Sequence, residues 1–465
     1  MKIELEVKVP VDSTLELELE KLGLSGFNFE ILRKSLDARK KPCFLYRLLF
    51  NLPEDLAVKF ISEGGAREHV PIPEISIPKV KRKRVLVVGM GPAGLLASYV
   101  LAKAGLEVVL IDRGKPVEER TRDVKLFWEK RILDENSNVQ FGEGGAGTFS
   151  DGKLTTRVKD KKKHFIFRLF VECGAPTEIL YESKPHVGTD NLKVIVKNFR
   201  ELLKSLEVEI RFSTLFYDFV LKNQRIEEVI LKDLVSGEFK RETYDYVFLA
   251  VGNSARDTFS LLKRRGVCLE CKPFAVGLRV IHRQKTINRI QYGKKWFKHP
   301  NLPPADYSFT YRGRRRNVFT FCMCPGGYVI CASSEKNGVV CNGMSNHKRD
   351  SGYANSAVVV QVFPEDFDND PFNAILFQRN LERAAFVAGG SDYSMPAQKV
   401  WDFIHGQGSK ELIEGGFIPE IKPARLDRLL PEEIVLPIKK AFLHWFNKVP
   451  FFVPQNATLV GVETR

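Results

Sequence analysis

The most constraining stretch of the sequence is RVLVVGMGPAGLLASYVLAKAGLEVVLIDRG, residues 84–114. Val85 to Val88 form a short apolar run rich in β-branched residues, which suits a parallel strand buried on both faces. Gly89, Gly91 and Gly94 follow as G-x-G-x-x-G. The first glycine permits a tight turn, the second lets the backbone approach a pyrophosphate, and the third lets a helix pack closely on the strand. Pro92 and Ala93 open that helix, and Ala93, Leu96, Ala97, Val100 and Leu101 recur at helical spacing. Its N-terminus presents free amide protons and a partial positive charge to phosphates. Gly105 ends the helix, Glu107 to Ile111 form a second strand, and Asp112 stands at the strand tip beside Arg113. An acid at that place accepts hydrogen bonds from ribose hydroxyls. With the acid in register inside one strand–turn–helix–strand unit, the stretch reads as a dinucleotide-binding motif.

Two downstream segments indicate which dinucleotide. NVQFGEGGAGTFSDGKL holds Gly142, Gly144, Gly145 and Gly147, with Thr148 and Ser150 alongside. Such a stretch brings amide donors and bare backbone against a flat ring or a pyrophosphate. Later, a buried strand from Tyr246 to Val251 runs into Gly252. Flavin adenine dinucleotide (FAD) lies extended across a sheet and needs several backbone approach points far apart in sequence, as these glycines supply. The expected FAD contacts are therefore Gly89, Gly91, Pro92, Ala93, Gly94, Asp112, Arg113, Gly144, Gly145, Gly147, Thr148 and Gly252. Only one complete fingerprint is present, so NAD(P)H would have to dock transiently, or another donor would serve.

The 465 residues suffice for two or three domains, and 44% hydrophobic with 28% charged content is globular. Residues 1–70 read as a small α+β domain: Ile3 to Val9 alternate apolar and polar, a helix follows at Leu15–Leu22, and Pro42–Leu48 is another strand. Residues 71–84 form a proline-rich, basic linker. The first part of an FAD-binding domain is expected at 85–265, a β-rich substrate domain at 266–424, and a return segment to the FAD-binding domain at 425–465. The net charge of +15 would favour polyanions or phosphate-bearing ligands. The Lys79–Arg84 run could contact nucleic acid or act as a targeting address, and Arg312, Arg314, Arg315 and Arg316 could grip an anionic substrate, though a solvated linker and a solvated loop are the plainer readings. No apolar run approaches the ~20 residues of a membrane span, and MKIELEVKVP carries no signal core. A cytoplasmic location and no membrane partner are expected. Eight cysteines are too few for a disulfide-built fold, and the Cys268–Cys271 and Cys322–Cys324 pairs are too far apart for known zinc spacings, so no metal is expected.

The chain resembles the glutathione-reductase-like flavoproteins, and most of all the family often labelled NAD(FAD)-utilising dehydrogenases or FAD-dependent proteins. The resemblance is carried by SLDARKKP at Ser35–Pro42, GMGPAGLLA at Gly89–Ala97, FGEGGAGTFSDGKL at Phe141–Leu154 and KPHVGTDNL at Lys184–Leu192. KPFAVGLRV at Lys272–Val280, FCMCPGGYVI at Phe321–Ile330 and NGMSNHKRDSGYANSA at Asn342–Ala357 complete it. It implies FAD held by the Gly89 turn, Asp112 and the Gly142–Thr148 loop. Two departures stand out: Ile281 replaces the glutamate expected before His282, and the chain stops at LVGVETR, where relatives continue with a further flavin-contacting segment.

The resulting fold expectation is an α/β protein. It has a Rossmann-like FAD-binding domain of glutathione-reductase type, an inserted antiparallel β-rich substrate domain and a small α+β N-terminal domain. His282, His347, Lys348 and Arg349 are candidates to polarise or protonate a substrate, and Cys322 with Cys324 is a candidate thiol pair. None is fixed by spacing, so the catalytic residue stays unassigned. The leading function is an FAD-dependent oxidoreductase acting on a small-molecule substrate of unknown identity. One alternative is a remnant whose short C-terminus impairs flavin binding. The other, motivated by charge, is an RNA-linked flavoprotein, with nucleic acid the less favoured partner.

Overall fold

The computed structural model describes residues 1–156, 160, 162–449 and 457–465. Residues 157–159 and 161, inside the expected FAD-binding part, and 450–456, inside the expected return segment, lie outside the described residues. The chain folds as two compact units. One gathers Met1–Ser76, Lys153–Val187 and Asn288–Ala305, and the other gathers Ile77–Gly152, Gly188–Ile287 and Asp306–Arg465.

In the first unit, strand β1 (Lys2–Pro10) alternates as expected and buries Ile3, Leu5, Val7 and Val9. A helix at Leu15–Lys21 follows, its first turn capped by Thr14, whose hydroxyl accepts the Leu17 amide at 3.3 Å. Strands β2 (Phe29–Asp37), β3 (Cys43–Asn51) and β4 (Ala66–Glu68) and a helix at Glu54–Ser62 complete a βαββαβ unit. Its antiparallel sheet has the order β2-β3-β1-β4. The helices and one sheet face share a core that includes Leu19, Leu48, Phe50, Ala57 and Phe60.

This unit differs from the expected 1–70 domain because it recruits distant segments. The edge of β2 is extended by residues 181–183: the Lys34 amide donates to Tyr181 O at 2.8 Å and the Ser183 amide to Lys34 O at 2.9 Å. Lys34 Nζ lies 2.9 Å from Glu182. Asn301 Nδ2 donates to Val11 O at 3.1 Å. An edge strand has unpaired amides and carbonyls that will accept any passing chain, and sequence periodicity does not name which one.

In the second unit, β5 (Arg84–Val88), β6 (Glu107–Ile111), β7 (Glu209–Arg211) and, after them in sequence, β11 (Tyr246–Leu249) make a parallel sheet of order β11-β5-β6-β7. Between β7 and β11 runs an antiparallel meander, β8 (Thr214–Lys222), β9 (Arg225–Asp233) and β10 (Phe239–Glu242). It packs Phe216, Phe219, Val229 and Leu231 against Leu86, Val88, Val109 and Ile111. The end of the basic linker is drawn onto this sheet rather than left free. Arg82 and Arg84 bridge Glu107 at 3.2 and 3.3 Å, and Arg84 also reaches Glu242 at 3.0 Å.

The rest of the unit is β-rich. Strands β12 (Phe274–Arg283), β13 (Thr310–Arg312), β14 (Asn317–Pro325), β15 (Tyr328–Cys331), β16 (Cys341–Met344), β17 (Tyr353–Val362), β18 (Met395–Lys399), β19 (Phe417–Ile418), β20 (Ile421–Pro423) and β21 (Thr458–Glu463) form two sheets. Their orders are β13-β14-β17-β12-β21-β18-β20 and β16-β15-β19. Most pairs are antiparallel as expected, while β18–β20 and β15–β19 are parallel.

The last segment departs from expectation. The described residues of 425–465 do not return to the parallel sheet: β21 pairs with β12 and β18, and all six of its residues are buried. The helix Glu432–Lys448 buries Ile434, Val435, Ile438, Ala441, Phe442 and Trp445 at helical spacing in the same core as Val358 and Val360. Each of the Ile, Val and Phe side chains contributes about 1.5–3 kcal/mol on burial. A run such as TLVGVE suits the middle of any sheet, and only its neighbours decide which.

Candidate functional site

Because β11, β5 and β6 are parallel, their C-terminal ends lie at one edge of the sheet, where the helix Pro92–Lys103 begins. The Gly89–Gly94 turn is too tight for a side chain at its end: a Cβ on Gly94 would sit 1.8 Å from Gly89 O. The downstream glycine loop closes on this turn. The Gly144 amide donates to Met90 O at 2.8 Å, and a Cβ on Gly145 would come within 2.9 Å of Gly91 Cα. The third segment arrives from β11: the Ala250 amide donates to Val88 O at 2.8 Å, and a Cβ on Gly89 would meet Ala250 O at 2.5 Å. Three turns remote in sequence therefore meet at one strand edge. Gly252 is exposed beyond Ala250, and Pro92 and Ala93 are exposed at the helix start. Gly91 and Gly147 are half-buried, and a Cβ on either would find nothing closer than 3.9 Å. The space before these two residues is bare backbone with room beside it, the cradle a pyrophosphate requires.

Asp112 sits where expected, 7% exposed at the tip of β6. Its carboxylate already accepts two backbone amides, Met90 at 2.8 Å and Gly114 at 2.7 Å. It thus ties the glycine turn to the strand tip, and the spare lone pairs of each oxygen remain for a ribose hydroxyl. Arg113 pairs with Asp257 at 2.6 Å and lies over the Phe141 ring at 4.6 Å. Thr148 is turned inward: its hydroxyl donates to Glu143 O at 3.1 Å and accepts from Arg120 at 3.3 Å.

Two charged residues outside the glycine pattern organise the loop. Arg120, on the helix Val117–Lys130, is fully buried and donates to five carbonyls: Asn138, Val139, Gly142, Glu143 and Gly145, at 2.5–3.3 Å. Glu143 is also fully buried, and its Oε2 accepts the Val117 amide at 2.7 Å and Arg200 at 3.0 Å. Burial pushes this carboxyl up to about 7, outweighing the Val117 amide and Arg200, which pull it down. The sequence held a signal for Arg120. It shares the stripe of Val117, Val124 and Phe127, so a charge falls on the apolar face of an amphipathic helix.

The other candidates are dispersed. Arg349 comes next to the loop, its Nε 3.0 Å from Asp151, which also accepts from Ser345. His347 donates its backbone amide to Asp190 at 2.8 Å, and Lys348 is exposed. His282 lies inside the β-rich domain, 1% exposed with Nε2 3.0 Å from Tyr307 Oη. Burial drives its pKa down to about 3, so it is a neutral core residue and not a proton donor to substrate. Cys324 is buried and Cys322 half-buried, and neither forms a disulfide, nor do Cys268 and Cys271. Of the arginine cluster, Arg316 pairs with Asp366 through two hydrogen bonds of 2.7 Å, while Arg312, Arg314 and Arg315 are exposed.

Comparison with known proteins agrees with this division. The family described as pyridine nucleotide-disulphide oxidoreductase matches residues 83–291, which hold the three turns. The family described as FAD-dependent protein, C-terminal domain-like, matches residues 273–465, so the last segment falls with the β-rich part there too. A Clostridium beijerinckii protein described as "Uncharacterized protein" is 40% identical over 468 residues, covering 97% of this chain and 85% of that protein. Among solved structures, Thermovibrio ammonificans THI4 is 17% identical over 41% of this chain and 64% of its own, with a TM-score of 0.29. CtdE in complex with FAD is 11% identical over 82% of this chain and 72% of its own, also at 0.29. The chain spans less than two thirds of the THI4 chain, and at such TM-scores neither likeness bears on the argument. The two family matches make FAD the cofactor and flavin-dependent oxidoreduction the class of chemistry. On 40% identity across almost its whole length, the chain belongs to one family with the Clostridium beijerinckii protein.

Proposed function

We propose that the protein is an FAD-dependent oxidoreductase of glutathione-reductase-like architecture that holds FAD at the junction of the Gly89, Gly142 and Ala250 turns. The carrying observation is the convergence itself: Gly145 packs on Gly91, Gly144 bonds Met90 and Ala250 abuts Gly89. In this reading the diphosphate lies against Gly91, Pro92, Ala93 and Gly94 at the helix N-terminus and against Gly144, Gly145 and Gly147. Asp112 faces the adenosine ribose, Arg113 and Gly252 border the same edge, and Thr148 acts from behind the loop. Bound flavin supplies two-electron transfer between a donor and a small-molecule substrate. The chain's own residues bind, orient and shield the dinucleotide. The donor, such as NAD(P)H, docks transiently, since the chain carries a single complete fingerprint.

The test is spectroscopic. Purified protein is denatured and the supernatant scanned for flavin, and the apoprotein is then titrated with FAD. Release or uptake of one FAD per chain is expected. A colourless preparation that also leaves added FAD free in solution would defeat the reading.

A further inference from the structure

Arg120 poses a question that the glycine pattern does not answer. A fully buried guanidinium costs several kcal/mol unless it is paired or fully hydrogen-bonded. Here every nitrogen is engaged, Nε by Asn138 O, Nη1 by Gly142 O, Glu143 O and the Thr148 hydroxyl, and Nη2 by Val139 O and Gly145 O. None of these partners is a carboxylate. Asp112 and Glu143 act on the charge only through space, and burial lowers its pKa to about 10. The cation is solvated by backbone and not neutralised by a bonded acid.

Gly145 shows what this does to the loop. Its carbonyl points to Arg120 at 2.9 Å, while its Cα lies against Gly91. The guanidinium thus gathers carbonyl oxygens on its own side and leaves the opposite side of the peptide chain to the turn. Gly142 is moulded on the same side chain, since a Cβ there would sit 2.6 Å from Arg120 Cδ.

Resting on the FAD reading above, we infer that Arg120 is the positioning residue of the site. It holds the loop's carbonyls behind the backbone, which keeps the Gly144 amide on Met90 O and the bare Gly145 backbone against the Gly91 turn, and its charge, bonded to no acid, draws the dinucleotide diphosphate in. Planar fork geometry is essential, because one ammonium point cannot span five carbonyls.

The experiment measures affinities of FAD, ADP and riboflavin for wild type, Arg120→Lys and Thr148→Val, with far-UV circular dichroism as the fold control. ADP carries a diphosphate without flavin, and riboflavin carries flavin without a diphosphate. Arg120→Lys is expected to weaken FAD and ADP at least tenfold and riboflavin less than twofold. Thr148→Val removes one partner of the guanidinium and should weaken FAD severalfold in a folded protein. Wild-type FAD affinity in both variants would overturn the assignment, as would riboflavin weakening in step with ADP. If Arg120→Lys fails to fold, Thr148→Val decides alone, and unchanged FAD affinity there overturns the role. Wild type that binds neither FAD nor ADP would instead remove the FAD reading, and this inference with it.

Discussion

Three arginines are completely buried among the described residues: Arg120 beside the glycine loop of the nucleotide-binding half, Arg279 on β12 of the β-rich half, and Arg256, which like Arg279 is paired with an acid, Glu382 at 2.9 Å. Arg279 is neutralised in place: Nε and Nη2 donate to the two oxygens of Glu463 at 2.9 and 2.8 Å, with Asn355 at 2.8 Å beside them. Arg120 has five carbonyls and no bonded acid. The first arrangement closes a charge within the protein and joins β21 to β12. The second leaves a charge for something else to complete. An arginine that satisfies itself on a carboxylate is read as structure, and one that satisfies itself on backbone beside an open turn is read as a site.

The comparison can be broken most directly at Arg279. Glu463→Leu strands a buried guanidinium and should cost about 3–5 kcal/mol in urea unfolding, whereas the double variant Arg279→Met, Glu463→Leu should recover most of that loss. A mild single-variant phenotype would mean that Arg279 reaches water, and the contrast with Arg120 would vanish. Next in size is Gly94→Ala. Its Cβ would overlap Gly89 O, so the turn must open at a cost of about 3 kcal/mol, seen as a lower melting temperature with or without FAD.

Gly91→Val sharpens the distinction between folding and binding. Its φ of −70° suits any residue and the nearest atom to a Cβ is 3.9 Å away, so the melting temperature of the apoprotein should stay within about 2 °C. FAD uptake should nevertheless be lost, because the side chain projects where the diphosphate approaches. Unchanged FAD affinity would take Gly91 out of the site.

The smallest effect concerns Glu143. Its folded carboxyl keeps a proton up to about pH 7, against an ordinary value of 4.5. The folded state therefore binds more protons than the unfolded one in that interval. The associated stability is full below pH 4.5 and is lost as pH rises through 7. Glu143→Gln, which mimics the protonated form, should flatten the decline of the melting temperature between pH 5 and 8. A decline as steep as in wild type would assign the pH dependence elsewhere.

What could be read without the fold is what is local. The strand Val85–Val88, the glycine turn, the helix from Pro92 and the tip at Asp112 lie within one stretch of some thirty residues, where each feature constrains its neighbour. β1 and the helix at Leu15–Lys21 were legible from periodicity for the same reason. β2 was missed, since its apolar residues break alternation at a bulge between Ile31 and Arg33. Thr148 was legible as belonging to the loop, but the inward direction of its hydroxyl was not.

By itself, then, the sequence determined the dinucleotide motif, the glycine loop and the β-rich character of the second half, because these depend on backbone freedom and residue spacing over short windows. It took the folded chain to show that 153–187 and 288–305 join the N-terminal unit, that β21 lies between β12 and β18, and that Arg120 serves carbonyls while Arg279 serves Glu463. Strand partners and the environment of a buried charge are set by groups far apart in the chain. Their energies exist only once the chain has brought those groups together.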